Sequence, residues 1–223
     1  MGLPLPLAPS RQVERVRNFA IDYDNLQKYV TGGIGMSKVV MEDIGKFSQH
    51  YPKVAVIVTA SAGGKDNAMT AVWHSSISLK PPIYGVAIAP NRLTYALILD
   101  SKEFGINFIP WENAAIVGLV GGTSGQEADK FERFNIEKEQ PLKTKVPILK
   151  DAYAAYECRL VDNRLYGDHV WVVGEIVAVH LLKEAFTEKE VLDLTKVKPL
   201  LYLGSEFYAT ADKDSPRFMK RGV

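Results

Sequence analysis

Small hydroxyl side chains are concentrated in residues 67–78, a segment that also carries two residues suited to a flat ring. The hydroxyl-bearing residues are Thr70, Ser75, Ser76 and Ser78. Hydroxyl groups and backbone N–H groups bind a phosphate or the edge of a heterocycle at close range. Ala71 leaves room for a flat ring, and Trp73 can pack against one. The segment therefore fits a phosphorylated, flat cofactor, and it also fits an ordinary strand with one solvated face.

A second polar segment follows at residues 89–94, Ala-Pro-Asn-Arg-Leu-Thr. It coincides with the predicted start of a helix, where free N–H groups and the positive end of the helix dipole attract anions. Arg92 adds a bidentate phosphate donor and Thr94 adds a hydroxyl. Taken alone, Arg92 could equally be a solvated surface residue. Together the two segments predict an anion-and-ring site within residues 67–94.

Two isolated polar residues could complete this site. Asn107 interrupts the apolar run 104–109, and a buried amide must find partners, either on a ring edge or on neighbouring backbone. His169 follows Asp168 in a predicted turn before a strand, where it could act on a ligand or simply pair with Asp168. No two of the four histidines have metal-ligand spacing, so no zinc site is predicted.

Short strands are the elements that must position these residues. A short continuous run over 54–59, in which five of six residues are β-branched, predicts a strand buried on both faces. A turn over 61–67 and a second strand over 68–78 predict a hairpin whose loop is longer than two residues. Alternation along 68–78 places Thr70, Ser76 and Ser78 on one face.

The later chain continues in the same manner. Further strands are predicted at 83–89, 104–109, 152–161, 170–181 and 198–204, and helices at 91–101, 112–120 and 127–135. A turn is predicted over 162–169. Successive strands joined by short turns pair antiparallel. The fold class is therefore mainly β, either a closed antiparallel barrel with helices over its ends or an open α+β sandwich, and strands apolar on both faces favour the barrel.

Composition narrows the class of protein. The 223 residues are 47% hydrophobic, which is enough for one sizeable core, and the net charge of +1 provides no field for nucleic acid or an anionic membrane. The apolar N-terminus is broken by prolines, and no run of 18 apolar residues occurs, so we expect neither a signal peptide nor a membrane span, and a cytoplasmic location. The single Cys158 excludes an intramolecular disulfide, and we expect it to be a small buried side chain rather than a redox group.

Several short motifs occur in an order that resembles the flavin reductase-like proteins, which include flavoredoxin. The motifs are Val54–Thr59, Asn67–Trp73, Ala87–Thr94, Phe104–Asn107, Thr123–Gly125, Asp129–Phe131 and Gly167–His169. The resemblance extends from about residue 40 to 208. We therefore expect an N-terminal extension over 1–35 and a single flavin reductase-like domain over 36–223.

The resemblance implies an antiparallel FMN-binding split β-barrel, usually a homodimer. The flavin and phosphate contacts it implies are Asn67, Met69, Thr70, Ala71, Val72, Trp73, Asn91, Arg92, Thr94 and Asn107, with Lys130 as a looser phosphate partner. Ser75, Ala89 and Pro90 are further contacts that we predict from the two polar segments themselves. It places His169 beside the flavin and the nicotinamide as the catalytic residue. The sequence departs from the family at Gln126, where a basic residue is common, and at His74 and Ser75.

The resemblance also implies a reaction, in which NADH or NADPH reduces FMN and electrons pass to free flavin, a ferric chelate or a protein. No Gly-x-Gly-x-x-Gly fingerprint occurs, so a nicotinamide donor would dock on the exposed flavin without a Rossmann domain. The alternatives are a flavoredoxin-type electron carrier that is reduced by a partner protein, and an interaction module that binds no flavin.

Overall fold

The computed structural model describes residues 52–219 together with Glu42. The predicted extension over 1–35 and its boundary with the domain lie outside the described residues. Within the described part of the chain, no helix is long and apolar enough to cross a membrane.

Twelve strands and three α-helices make up the described chain. The strands are β1 (Lys53–Val54), β2 (Val56–Ala62), β3 (Lys65–Ala71), β4 (His74–Leu79), β5 (Pro82–Ile88), β6 (Glu103–Phe108), β7 (Lys138–Glu139), β8 (Ile148–Leu149), β9 (Ala154–Tyr166), β10 (His169–Leu181), β11 (Leu201–Gly204) and β12 (Phe207–Ala209). The helices are α1 (Leu93–Ser101), α2 (Ala114–Gly122) and α3 (Lys130–Arg133), with 3-10 turns at Trp111–Asn113 and Lys183–Ala185. The predicted mainly-β class is confirmed.

A seven-stranded antiparallel sheet forms the body of the protein, in the order β3-β2-β6-β9-β10-β5-β4. Although β3 and β4 lie at opposite edges of this sheet, only Val72 and Trp73 separate them in sequence. The three peptide units from Ala71 to His74 can span at most about 11 Å. The two edges must therefore meet at this point, which curls the sheet into a barrel, as predicted.

Strand β2 shows why the continuous apolar run is needed. Val56 and Val58 are fully buried in the cluster that fills the barrel, where α1 contributes Leu97 and Ile98. Ile57 faces the opposite way and joins a second cluster, in which residues of α2 and α3 pack against the outside of the sheet. The prediction that this strand is buried on both faces is confirmed, and the outer cluster is what holds α2 against β3.

The β2–β3 hairpin is tighter than predicted. Its loop is the two residues Gly63 and Gly64, whose φ angles of 58° and 78° are both positive. Two successive positive φ angles make a type I′ turn, which Gly-Gly adopts without steric cost. The expected longer loop was wrong because the polar residues 65–67 already belong to β3, at an end of the strand that is partly exposed.

The predicted strand over 68–78 is in fact two strands. It breaks at Val72 and Trp73 where the chain crosses from one sheet edge to the other, and a register shift follows between Ser76 and Ser78. Thr70 lies on β3, whereas Ser76 and Ser78 lie on β4 on either side of the register shift. The prediction that alternation along one strand gives these three residues a common face was therefore wrong. Alternation describes a continuous strand and cannot detect a crossing between edges.

The predicted turn over 162–169 is also shorter in the structure. Strand β9 continues to Tyr166, and Gly167 and Asp168 make the turn into β10, with φ of 62° at Gly167. The polar residues 162–164 remain in the strand because this part of the hairpin extends beyond the core and is exposed.

Candidate functional site

A cavity of about 830 Å³ lies between β3, the start of α1, the end of α2 and the β11–β12 hairpin. Its volume is within the range of about 300–1,000 Å³ that is usual for small-molecule sites. It brings together most of the predicted site residues, namely Asn67, Met69, Thr70, Ala71, Val72, Trp73, Ala89, Asn91, Arg92, Thr94, Lys130 and His169. The two polar segments singled out in the sequence therefore face one space.

One end of the cavity is built where β3 meets the start of α1. The buried Asn67 side chain donates from Nδ2 to Thr94 Oγ1 at 2.8 Å, which joins the strand to the first turn of the helix. Arg92 is the N-cap residue, in an extended conformation, and no described side chain caps this helix. The first N–H groups of a helix have no partners within it, so this end offers backbone donors and a positive dipole to an anion.

Lys130 adds a buried positive charge at the same end. Its Nζ donates to the carbonyl oxygens of Ala68 and Val120, both at 2.8 Å. Burial, and secondly the charge of Arg92, lower the pKa of Lys130 to about 8. An ammonium group has three donors, so one remains for a ligand. An anion in the cavity would offset both causes of the lowered pKa.

Helix α3 is short, and one side chain caps its start. The Asp129 carboxylate accepts hydrogen bonds from the N–H groups of Phe131 and Glu132, at 2.8 and 3.2 Å. An aspartate in this N-cap position satisfies donors that would otherwise have no partner. Capping by Asp129 therefore places Lys130 at the first helical position, beneath the cavity.

The loop after α2 comes close enough to β3 to require glycine. A Cβ atom at Gly125 would lie 2.1 Å from Asn67 Oδ1, well inside contact distance. At Gly121 a Cβ would lie 3.3 Å from Thr70 Cβ, and Thr70 Oγ1 donates to the Val117 carbonyl at 2.6 Å. The small size of these glycines and the hydrogen bond from the Thr70 hydroxyl thus keep α2 and its loop close to β3.

The other end of the cavity is aromatic. The rings of Trp73 and His169 lie with centroids 4.8 Å apart and planes inclined by 57°. His169 Nδ1 and Asp168 Oδ1 are 2.8 Å apart, and this contact lowers the pKa of the Asp168 carboxyl. With its Nδ1–H donated to that carboxylate, His169 keeps Nε2 as the nitrogen that can contact a ligand.

Three predicted residues lie outside the cavity lining: Ser75, Pro90 and Asn107. Ser75 is exposed on β4, beyond the break, and its hydroxyl donates to the Ser76 carbonyl at 3.0 Å. Pro90 lies between lining residues without being one of them.

Asn107 is fully buried, and its amide is occupied by protein groups. Its Nδ2 donates to Ile57 O at 3.0 Å and to Thr59 Oγ1 at 3.2 Å, while Oδ1 accepts from Leu149 N–H at 2.9 Å. Of the two roles that the sequence left open, the structure therefore supports bonding to neighbouring backbone. Asn107 does not line the cavity, because β2 lies between β6 and the cavity-lining strand β3 in the sheet.

Sequence reasoning missed two parts of the lining. The glycines at the end of α2 were not predicted to line the cavity, although Gly-Gly next to a polar loop could have indicated close approach. The second part is Tyr202, Glu206 and Tyr208 on the β11–β12 hairpin. No local signal identifies these three, since the hairpin reaches the cavity only by pairing with β1.

Cys158 plays no part in the site. It is fully buried on β9, as expected, and burial raises the pKa of its thiol. A buried thiol held in its protonated form is a poor nucleophile, which is consistent with a packing role.

Comparison with known proteins places the whole domain. The family model of the flavin reductase like domain matches residues 48–211. The chain is 26% identical over 183 residues to the reductase component of an FADH(2)-dependent resorcinol hydroxylase from Rhizobium sp., covering 79% of this chain and 93% of that protein.

Solved structures agree with the observed architecture. An FMN-binding protein from Thermus thermophilus superposes with a TM-score of 0.72 at 31% identity, covering 83% of this chain and 99% of the other. A protein from Shewanella frigidimarina described as a flavin reductase with a split barrel domain has a TM-score of 0.72 at 21% identity, covering 85% and 100%. The second likeness confirms the fold as a split barrel.

Proposed function

The chain belongs to the flavin reductase-like family, and on that premise we propose that its cavity binds FMN and that the loaded protein is an NAD(P)H-dependent flavin reductase. The observation that carries the proposal is the difference in chemical character between the two ends of the cavity. One end is rich in cations and helix N–H groups, and small and aromatic residues continue from it towards His169. This order matches a molecule with a phosphate at one end and a flat ring at the other.

The phosphate is assigned to the end formed by α1 and α3. Arg92, the third donor of Lys130 and the first N–H groups of α1 would hold it together, by charge-assisted hydrogen bonds. Thr94, already bonded to Asn67, keeps the helix end in register with β3. Gly125 lies against Asn67 in the same part of the lining.

The flat ring is assigned to the wall made by small residues. Ala71, Ala87 and Ala89 line the cavity without filling it, and Trp73 closes its far side. Bound FMN would supply the hydride-accepting and electron-transfer chemistry. The protein positions the ring, limits the access of water to it and leaves the face towards His169 for a second substrate.

His169 is assigned the role of orienting that second substrate. Its bond to Asp168 fixes the imidazole, so that Nε2 is presented in a defined direction. Hydride transfer needs no proton donor, so His169 acts by contact and polarity rather than as an obligatory acid.

An absorbance spectrum followed by anaerobic titration tests the proposal. We expect FMN to bind with a one-to-one stoichiometry and the yellow colour to bleach on addition of NADH or NADPH. Bleaching by a reduced redox protein, but by neither nicotinamide, would instead favour the flavoredoxin-type carrier. A protein that takes up no added FMN would refute flavin binding itself.

We also propose that the protein is a homodimer. Apolar side chains are exposed on the long β9–β10 hairpin, including Val161, Leu165, Val179 and Leu181, which are each more than half exposed. Several exposed apolar side chains on one hairpin are typical of an interface. Sedimentation should give twice the monomer mass, and Leu181→Glu should shift the equilibrium towards the monomer.

A further inference from the structure

The β11–β12 hairpin contributes an aromatic wall that the proposed flavin contacts do not use. Tyr202 and Tyr208 are paired across its strands, with ring centroids 5.3 Å apart at 63°. Both rings pack against the outer core cluster, which includes Ile109 and Val117. The two tyrosines line the cavity and present a rigid surface to any second ring that enters it.

This wall lies at the aromatic end of the cavity. Tyr202 pairs with Lys53 of β1, and Lys53 Nζ lies 5.5 Å from the centre of the Trp73 ring. Lys53 itself faces a separate cavity behind Trp73. The hairpin is therefore close to Trp73 and His169, where the proposed second substrate would meet the flavin.

Glu206, on the turn of the same hairpin, adds a negative charge to the cavity lining. Among the described residues that line the cavity, it is the only acidic one, whereas Arg92 and Lys130 provide positive charge at the phosphate end. The carboxylate is carried by the same hairpin as Tyr202 and Tyr208, whereas the positive charges are carried by α1 and α3. A second substrate that carries an additional phosphate would be repelled at the end where it has to bind.

The backbone conformation at Glu206 is strained for a residue that has a side chain. Ser205 and Glu206 form the two-residue turn of the hairpin, with φ angles of 47° and 66°. Such turns are most stable with glycine or asparagine, because a Cβ atom is strained in the left-handed region. A residue kept in this conformation next to a ligand cavity is typical of a functional position.

We propose that the β11–β12 hairpin selects the second substrate by charge, so that NADH is preferred to NADPH. Tyr202 and Tyr208 contact a ring of the nucleotide, and the Glu206 carboxylate disfavours the additional 2′-phosphate of NADPH. The inference rests on the proposed flavin reductase function. NADH and NADPH differ by one 2′-phosphate group, so they separate the effect of charge from that of ring contact.

Binding of the oxidised nucleotides tests the proposal without turnover. The dissociation constants of NAD⁺ and NADP⁺ for the FMN-loaded protein are measured by calorimetry at low and high ionic strength. From a dianionic phosphate near an exposed carboxylate, we expect NADP⁺ to bind about three- to tenfold more weakly at low salt, with a smaller ratio at high salt.

Variants separate the carboxylate from the fold of the hairpin. Glu206→Gln should bring the ratio of the NADP⁺ and NAD⁺ dissociation constants towards one. Glu206→Gly should do the same and also raise the melting temperature, because glycine adopts the positive φ angle without strain. The exposed Glu188, which lies outside the cavity lining, provides the matched control, and Glu188→Gln should leave the ratio unchanged. Tyr208→Ala should weaken binding of both nucleotides by the same factor.

The inference is overturned if NADP⁺ binds as tightly as NAD⁺, if neither nucleotide binds, or if Glu206→Gln leaves the ratio unaltered. A separate titration with FMN distinguishes these results from failure of the proposed function. If FMN binds but NADP⁺ and NAD⁺ have equal dissociation constants, only the proposed role of the hairpin is wrong. If FMN does not bind, the proposed function is wrong.

Discussion

The affinity for FMN should fall as the pH rises above 8, because the free protein then loses the proton of Lys130. The pKa of Lys130 is lowered to about 8 by burial and by the charge of Arg92, from an ordinary value of 10.5. A bound phosphate dianion would favour the charged form and raise this pKa again. If it restores the ordinary value, the dissociation constant at pH 9 is about tenfold that at pH 7.

The direction of this pH dependence follows from the number of protons that Lys130 holds in the free and in the bound protein. Below pH 8 Lys130 is charged in both the free and the bound protein, so the affinity is constant. Between the free and the bound pKa, binding takes up a proton, and each pH unit weakens it by about tenfold. The phosphate has its own second pKa near 6, so it remains a dianion throughout this interval.

Quenching of flavin fluorescence at pH 7, 8 and 9 and constant ionic strength provides the assay. Riboflavin, which lacks the phosphate, is the control ligand and should show no such dependence.

Arg92→Gln should weaken FMN binding by about ten- to a hundredfold, as for the loss of a charged hydrogen bond. It should also move the fall in affinity to higher pH, since it removes the repulsion on Lys130, whereas Arg217→Gln on the exposed C-terminal segment should change neither property. An affinity for FMN that stays constant from pH 7 to 9, or an equal slope for riboflavin, would refute this reasoning.

Three further predictions concern single side chains. Gly125→Ala should cost about 1–3 kcal/mol of unfolding free energy and weaken FMN binding, because the new Cβ displaces Asn67 from Thr94; chemical denaturation and an FMN titration measure both, and an unchanged affinity would contradict it. His169→Ala should slow flavin reduction by about ten- to a hundredfold while FMN stays bound; stopped-flow absorbance gives the rate, and an unaltered rate would remove His169 from the mechanism. Burial alone would raise the pKa of the Glu157 carboxyl, but His180 and the amides of the loop after β7 lower it to about 2. The stability that this carboxylate contributes is therefore present above its ordinary pKa of 4.5 and should be lost as the pH falls towards 2, so Glu157→Gln should flatten the acid side of a stability–pH curve.

Much of the barrel could be predicted from local patterns. The run over 54–58 is apolar at every position because β2 faces the barrel interior on one side and α2 and α3 on the other. The hairpin pairing of β2 with β3 and of β4 with β5 followed from short connections. Patterns of this kind succeed because burial acts on each residue through its immediate neighbours in the strand.

The break at Val72 and Trp73 could not be predicted in this way. Both residues suit a strand, and only the meeting of the two sheet edges makes them a crossing. The error spread to Ser75, which was predicted as a ligand contact on the same strand as Trp73 and which the structure places beyond the break. Asn107 was uncertain for a similar reason, since a polar residue within an apolar strand must be paired, and the partner depends on a strand far away in sequence.

The sequence by itself determined the chemistry available to this protein: hydroxyls and small residues over 67–73, a helix start with Arg92 and Thr94, and a histidine after Asp168. The tertiary structure decided which of them share a cavity, leaving Ser75, Pro90 and Asn107 outside the lining and adding Tyr202, Glu206 and Tyr208. The physical reason is that residue type and alternation are local properties. Strand pairing joins residues a hundred or more positions apart, and no local pattern records which strand will lie beside which.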